Sequence, residues 1–566
     1  MKALFHGVID AEAVTPYPSI NDDEQEVLEL MLENVRRFLE SSVDSAKIDA
    51  EHKISDSVLA GMKELGLFGL SIPESYGGLG LSATAYARVM QEVASYDGAL
   101  AVTVGAHQSI GMKALLLFGT DAQKAKYLPR LASGEMVAAF ALTEPEAGSD
   151  AASIRTQATI AGDGEGYILN GSKIWITNGG FADFFTVFAR TTSPETGAKP
   201  KVTAFIVERS SGVKNGPSEE KMGIRGSSTV TLYFDDVYVP KENVIGEVGR
   251  GFKVAMEVLN NGRLGLAAGC LGGSTRMIDM AIARVDERKA FGKRIGDFGM
   301  IQEKIARMMC ETYALECMTY LTTGLIDGGT KDFSLESAIC KVFGSETYWY
   351  VANETLQIAA GIGYMTEYPY ERMLRDSRIN LIFEGTNEIL RAFIALSGLQ
   401  GPGDQLQEVV KALREPIKGF GVLSEFAIQR ARSALGRERL EFAHESLRKE
   451  AVIFESGVTD LAREAERALR KHGRAMMDRQ FIQKRIAEVA IDLYGLAAVL
   501  SRTSSRIEEV GESAAAREIQ LAQGYGVIAE ERLKMRLSRM EREDDELLKE
   551  IAATAYQAGA FKTLVG

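Results

Sequence analysis

From Ala141 to Val239 the chain carries a pattern unlike the sequence on either side. YILNGSKIWITN, FTVFART, VTAFIVER and STVTLYFDDVYVP are short alternating runs separated by Gly, Asn and Asp turns. Before and after them the apolar residues recur at helical spacing. Leu28, Leu32, Val35 and Phe38 share one face of a helix over Glu24–Leu39, with Asp22 and Asp23 as its cap. Long helical patterns follow at 252–290, 300–327 and 334–360. Others lie in FIQKRIAEVAIDLYGLAAVL (481–500) and GVIAEERLKMRLSRM (526–540). A β block set between helical stretches admits few architectures. The expected fold is mostly α with a central β domain: an α-helical N-terminal domain, a β-barrel or sandwich, an α-helical bundle and an extra α-helical domain. The expected boundaries are an N-terminal arm at 1–24, then domains at 25–138, 139–248, 249–398 and 405–566. Gln-Gly-Pro-Gly-Asp (400–404) reads as the breaker before the last.

Composition excludes several classes. The 566 residues are 46% hydrophobic and 25% charged, as in globular proteins, and the net charge of −13 opposes nucleic-acid binding. The deficit lies wholly in 1–400, because 401–566 hold 27 Lys+Arg and 27 Asp+Glu; 19 of those 27 cations are Arg. Cys270, Cys310, Cys317 and Cys340 form no CxxC pair, and the five histidines form no HxxH or HExxH pattern. Buried reduced thiols and no metal site are expected. No apolar run reaches about 18 residues, so no membrane-spanning helix is expected. MKALFHGVIDAEAV has neither the apolar core of a signal peptide nor an Arg-rich transit pattern, which reads as a cytoplasmic chain.

Nucleotide motifs are few. No GxxxxGK[ST] is present, and Gly78-Leu-Gly80-Leu-Ser-Ala83 lacks the preceding strand that a dinucleotide fold needs, so it reads as a tight loop before a helix. Three clusters carry more chemistry. FALTEPEAGSD (140–150) gathers Thr143, Ser149, Gly148 and backbone donors where the chain turns, which suits the edge of a flat heterocycle and a pyrophosphate. SKIWITNGG (172–180) places Trp175 and Thr177 on one strand face by period two, a ring to stack and a hydroxyl to bond. IFEGTNEILR (382–391) sets Glu384 beside a glycine at a helix start. Taken singly, these also read as hairpin turns, a buried Trp and a capping Glu.

Together and in this order, the clusters resemble the acyl-CoA dehydrogenase family of flavoproteins over about residues 25–398. ERKAFGKRIGDFGMIQEKIARM (287–308), LQIAAGIGYM (356–365) and PYERMLRDSRINLIFEGTNEILR (369–391) are similar to further family segments. The extension, with GAHQSIGMKALLLFGT (105–120), EVLNNGRLGLAAG (257–269) and AIDLYGLAAVLSR (490–502), resembles the very-long-chain type, whose members are dimers. The resemblance implies FAD-dependent α,β-dehydrogenation of acyl-CoA to trans-2-enoyl-CoA in fatty-acid β-oxidation. Glu384 would be the α-proton base, FAD N5 the hydride acceptor and an electron-transferring flavoprotein the partner. A thioester α-C–H is too weak an acid for a carboxylate in water. The resemblance therefore implies a carbonyl bonded to a FAD hydroxyl and to the Glu384 N–H, a donor type worth about 3–4 kcal/mol each.

The implied FAD contacts are Phe140, Leu142, Thr143, Gly148, Ser149, Trp175, Ile176, Thr177, Arg288, Phe291, Gln302, Gln357, Ile358, Gly361, Thr386 and Asn387. Those around Arg288 and Gln357–Gly361 would reach the FAD of a neighbouring subunit. The implied substrate contacts are Ser149, Asn260, Arg263, Gly385, Ala101 and Gly105. Arg263 also reads as a core salt bridge. Some members place the base at the position of Gly262, which carries no carboxylate here. Ala360 replaces a usual glycine and Glu146 a usually small residue, and Asn260-Asn261-Gly262-Arg263 matches the long-chain type. Ala99, Ala101, Gly105 and Ala106 are all small, which reads either as a deep acyl channel or as ordinary close helix packing. The stretch 425–447 carries Phe426, Leu435, Leu440 and Phe442 beside Arg430, Arg432, Arg437 and Arg439. It reads as a peripheral membrane helix on the inner face or, given Glu438, Glu441 and Glu445, as a solvated or packed one. An acyl-CoA oxidase and an assembly factor retaining a flavin site stay open as alternatives.

Overall fold

The computed structural model describes all residues except Pro194, Ala198, 415–439, Glu543 and 562–566, and leaves the side chains of 409–414 undescribed. It forms two compact units, Tyr17–Asn387 and, separately, Glu388–Gly566 with Met1–Pro16.

In the first unit, short polar side chains start the N-terminal helices. Asn21, Asp44, Ser55, Ser82, Asp97 and Thr120 each accept a backbone N–H from the first turn of α1 (Asp22–Ser42), α2 (Ser45–Glu51), α3 (Asp56–Glu64), α4 (Ala83–Tyr96), α5 (Gly98–Gly105) and α7 (Asp121–Ala132). The cap of α1 is thus Asn21 rather than the aspartates after it. Leu28, Leu32, Val35 and Leu39 are its buried stripe, with Phe38 only half-buried. Gly78–Ala83 is indeed a loop into α4, after a 3-10 turn at Glu74–Tyr76.

Between α5 and α6 (Lys113–Phe118) the helix widens into a π-helical segment, Ala106–Gly111, a device that recurs at functional sites. By length and composition Gly98–Phe118 could cross a membrane, but most of it is buried inside the protein. His107 shows why: its Nε2 meets the Phe68 carbonyl at 3.0 Å, and its Nδ1 accepts the Ala138 N–H at 2.9 Å. Burial lowers its pKa to about 4, which keeps it neutral and structural.

The β block is one mixed eight-stranded sheet. Its strands are β1 (Ala138–Ala141), β2 (Gln157–Ile160), β3 (Gly166–Thr177), β4 (Phe184–Thr191), β5 (Lys201–Glu208), β6 (Lys214–Ser218), β7 (Thr229–Pro240) and β8 (Val244–Ile245), in the order β6-β7-β3-β2-β4-β5-β8. β1 and β2 both run parallel to β4. Phe184 and Phe188 of β4 pack with Leu128 and Leu131 of α7, while Phe185 and Val187 face an all-strand cluster with Leu169, Phe205 and Leu232. Burial on both faces explains a strand with almost no polar alternation.

α8 (Gly251–Glu287), α9 (Gly299–Asp327) and α10 (Ser334–Ala359) form the bundle. The glycines of α8 permit close packing: a Cβ on Gly272 would lie 2.0 Å from the Gln91 carbonyl, and one on Gly273 would lie 2.4 Å from the Tyr348 ring. α11 (Tyr370–Arg378) leads through a 3-10 turn at Ile379–Leu381 to the Glu384 loop.

The second unit contains α12 (Asn387–Arg414), α13 (Arg448–His472), α14 (Gln480–Val510), α15 (Ala516–Leu537) and α16 (Asp544–Ala558). The expected breaker at 400–404 is not one: α12 runs straight through it. Pro402 is buried inside the helix, so packing overrides its propensity. The arm also differs from expectation. Residues 1–16 belong to this unit, where the buried Phe5 ring occupies the space that a side chain at Gly398 would need. Of the expected membrane helix, 425–439 lies outside the described residues. Leu440 is buried, and its N–H donates to Glu455 at 2.9 Å.

Candidate active site

The Glu384 loop is built from unusual backbone. Glu384 has φ +60° and Gly385 φ +93°, and a non-glycine side chain at such an angle costs about 1–3 kcal/mol unless its surroundings enforce it. Here two buried cations do so. Arg263 on α8 donates from Nε to the Glu384 carbonyl at 3.2 Å and from Nη1 to Asn260 Oδ1 at 2.8 Å. Lys341 on α10 donates to the Gly385 carbonyl and to Asn387 Oδ1, each at 2.8 Å. Asn387 Nδ2 donates in turn to Ser345 Oγ at 3.0 Å and Glu346 Oε1 at 3.1 Å. Asn387, expected as a cofactor contact, holds the loop from within the chain, with both ends of its amide engaged.

As a residue Glu384 is half-buried, but its carboxyl end is enclosed, and Oε2 has no hydrogen-bond partner among the described residues. Gly262 makes room for it: a Cβ there would lie 2.9 Å from Oε2 and 3.0 Å from Oε1. Burial raises the Glu384 pKa to about 7, against the pull of Arg263 and Lys341. Burial also lowers Lys341 to about 8. The Glu384 N–H donates to no group among the described residues.

The carboxyl faces a cavity lined by Ala101, Gly105 and Ala106, by Gly262, Gly265 and Gly269 of α8, and by Thr177 of β3. Four sequence-derived positions, Thr177, Ala101, Gly105 and Glu384, therefore meet in one space. Ala99 is buried and does not line it.

The flavin motifs lie beside it. The Ile174 N–H donates to the Thr143 carbonyl at 3.0 Å, which joins the two β clusters. Trp175 has φ +58° and is 62% exposed. Neither the buried Trp nor the period-two face holds, because a β-bulge between Lys173 and Ile176 inserts an extra residue. The turn after Thr143 is pinned by buried Glu144. This carboxylate pairs with Lys173 at 2.7 Å and accepts the Thr156 N–H at 3.0 Å. Gly148 and Ser149 are exposed, and no atom lies within 4 Å of a Cβ on Gly148. Glu146 is exposed and paired with Arg155. An open aromatic ring, adjacent hydroxyls and an uncrowded glycine turn fit a planar cofactor with a diphosphate. Phe140 and Thr386 are half-buried.

Leu142, Ile176 and Ile358, also expected as cofactor contacts, have their side chains packed in the core. Arg288, Phe291, Gln302, Gln357 and Gly361 lie away from the cavity on exposed surface. Phe291, 96% exposed, tips the small hairpin β9 (Lys289–Ala290) and β10 (Lys293–Arg294). Ala360 adopts φ +56°, ψ −132°, a region suited to glycine. Sequence reasoning missed Lys341. The available signal was a lysine inside the apolar helical run Ile339-Cys340-Lys341-Val342-Phe343.

Helical, β and helical layers around an enclosed carboxylate beside an open flavin-type cradle define an oxidoreductase of the acyl-thioester dehydrogenase class. Family models agree domain by domain: acyl-CoA dehydrogenase N-terminal domain at 25–135, middle domain at 139–237, C-terminal domain at 249–399, and ACAD9/ACADV C-terminal domain at 445–561. The human very long-chain specific acyl-CoA dehydrogenase, mitochondrial, is 47% identical, covering 94% of this chain and 82% of its own. A probable acyl-CoA dehydrogenase of Bacillus subtilis is 38% identical, covering 83% of this chain and 78% of its own. The solved acyl-CoA dehydrogenase of Bacillus anthracis, complexed with FAD, has a TM-score of 0.82 at 32% identity, covering 99% of this chain and 96% of that one. Butyryl-CoA dehydrogenase of Megasphaera elsdenii has a TM-score of 0.64 at 38% identity, covering 68% of this chain and 99% of that one. This chain belongs to the acyl-CoA dehydrogenase family and is an oxidoreductase.

Proposed function

We propose that the chain is a FAD-dependent dehydrogenase of long-chain acyl-CoA, forming trans-2-enoyl-CoA in fatty-acid β-oxidation. The observation that carries this is the enclosed, unpartnered Glu384 carboxyl at one end of a cavity walled by small residues. Glu384 removes the α-proton. A pKa of about 7 makes it a stronger base than an ordinary carboxylate while leaving much of it ionised near neutrality. The uncommitted Glu384 N–H is free to receive the thioester oxygen as charge grows there. Arg263 and Lys341 hold the peptide that carries both groups, and an acyl chain along Gly105 and Ala101 excludes water. FAD, when bound, supplies the hydride acceptor for the β-carbon.

Thr143, Thr177, Trp175, Gly148 and Ser149 would hold the flavin of the same chain. The outlying Arg288, Phe291, Gln302, Gln357 and Gly361 would hold that of a second copy, which makes a homodimer. Electrons leave to an electron-transferring flavoprotein. Peripheral membrane contact through 405–566 by a cytoplasmic chain belongs to the same proposal. Purified protein should be yellow and should bleach anaerobically with palmitoyl-CoA; failure to bleach would sink the assignment. In a chain-length series, a higher kcat/KM for butyryl-CoA than for palmitoyl-CoA would remove the long-chain part.

A further inference from the structure

A second unpartnered oxygen stands beside the base. Met90 and Ala94 of α4 line the cavity, and Tyr86 lies one helical turn before Met90 on the same stripe of that helix. Its ring rests on Gly265 of α8: a Cβ there would lie 3.3 Å from the hydroxyl and 3.4 Å from Cε1. Gly262, three residues earlier on α8, is where the Glu384 carboxyl rests, with Oε2 2.9 Å from a Cβ. Positions three apart on a helix carry their Cβ atoms about 5–6 Å from each other. Glu384 and Tyr86 therefore touch neighbouring steps of one glycine wall, and both steps line the cavity.

The Tyr86 hydroxyl is enclosed, and like Glu384 Oε2 it has no hydrogen-bond partner among the described residues. Enclosed polar atoms are rarely left so, because each costs its full desolvation. Ser109 of the π-helical segment adds a third polar atom. It lines the cavity, and its hydroxyl donates to the Gly105 carbonyl at 2.6 Å, so its oxygen is left to accept. Burial raises the Tyr86 phenol well above its usual value, with Ser109 pulling against this and the Glu384 charge adding to it. Tyr86 is therefore a protonated donor that feels both neighbours. The charged groups facing Glu384 are Arg263 from α8 and Lys341 from α10, and both donate to backbone carbonyls of the loop. From α4, the donor is Tyr86.

One water molecule completes this set. It accepts from Tyr86 and donates to Glu384 Oε2 and to Ser109 Oγ, about the three bonds usual for a buried water. Resting on the acyl-CoA reading of the cavity, we propose that Tyr86, assisted by Ser109, is a positioning residue for the base: it holds a water on Glu384 Oε2 before substrate binds, and the incoming acyl chain displaces that water. The bound water keeps the carboxylate ionised and aimed into the cavity. Its departure takes a donor from the charge, which makes Glu384 a stronger base once the α-carbon has arrived. Tyr86 then donates to Ser109 Oγ, so no open polar group faces the acyl chain.

The test compares pH profiles of the FAD-loaded wild type and Tyr86→Phe, with palmitoyl-CoA and a dye acceptor. The kcat/KM profile reports the free enzyme and the kcat profile the complex. The rise of kcat/KM should move up by about one pH unit in Tyr86→Phe, while the rise of kcat stays in place. Profiles that do not move, or that move together, would overturn the proposal. If Tyr86→Phe does not take up FAD, Ser109→Ala, which keeps the ring, is judged by the same criterion with a smaller shift expected. A wild type that leaves palmitoyl-CoA unchanged would fail the acyl-CoA reading instead. The site is then read without substrate. The wild type loses stability relative to Glu384→Gln as pH rises, and the pH at which this loss levels off should be about one unit higher when both proteins also carry Tyr86→Phe. A levelling point that does not move would overturn the proposal.

Discussion

Glu384 and Asp492 are enclosed carboxylates in different units, and burial raises both, to about 7 and about 6. What differs is the company of their oxygens. Asp492 on α14 bonds Arg536 of α15 and lies 3.7 Å from Arg532. Arg448 grips Glu455 through two bonds of 3.0 and 3.1 Å, and Arg485 grips Asp545 likewise. Glu450, packed against Gly526, is the exception, with one oxygen unpartnered. Glu384 has its backbone held by Arg263 and Lys341 while Oε2 stays unpartnered. The second unit uses buried charge to lock helices, and the first keeps one carboxyl open for a reactant. The Arg-rich extension follows from this, because a planar guanidinium fork matches a carboxylate better than an ammonium does.

Substitutions can break that contrast. Glu384→Gln should lower kcat about a thousandfold. It should also stabilise the fold at alkaline pH. A carboxyl whose folded pKa is raised from 4.5 to about 7 loses stability as pH climbs through that window. The Gln variant should therefore gain about 3 kcal/mol over wild type at pH 8 and nothing below pH 4.5, read from denaturant midpoints. The wild-type kcat/KM should rise with pH and level off above about 7, which stopped assays across pH would show.

Asp492→Asn should do the opposite, costing stability at neutral pH because it takes the shared anion from between Arg536 and Arg532, with Arg536 keeping Glu488 at 3.3 Å. If thermal unfolding shows it stabilised as Glu384→Gln is, the contrast between the units fails. Gly262→Ala drives a methyl into the Glu384 carboxylate and should lower kcat about a hundredfold with little change in KM; an unchanged kcat would mean the carboxylate is not held where it acts. The smallest effect belongs to Ala360→Gly. Relief of its backbone strain should add about 1 kcal/mol of stability, visible as a higher midpoint at unchanged activity.

Local chemistry was legible wherever one residue decides the outcome. The loop at Gly78–Ala83 and the β block at 141–239 read directly, and the start of α1 read to within a residue of its cap, Asn21. Glu384 was singled out by the resemblance of its neighbours in sequence, and the structure encloses its carboxyl. Features that depend on distant packing did not. Pro402 sits inside a helix because its surroundings bury it, and Trp175 left the period-two pattern because a bulge intervenes. Asn387 turned inward to a lysine 46 residues earlier in the chain.

The placement of Phe5 has a consequence for how the protein is made. Its pocket is completed by Gly398, so during synthesis this ring waits for a partner nearly four hundred residues behind. At about 5–20 residues per second that delay is roughly 20–80 s. Through that interval, while the first unit is being made, Leu4 and Phe5 stay an unsheltered apolar segment of the nascent chain. A fusion tag placed directly before Met1 would load that segment while it waits, whereas the same tag after Gly566 would arrive when the pocket has closed.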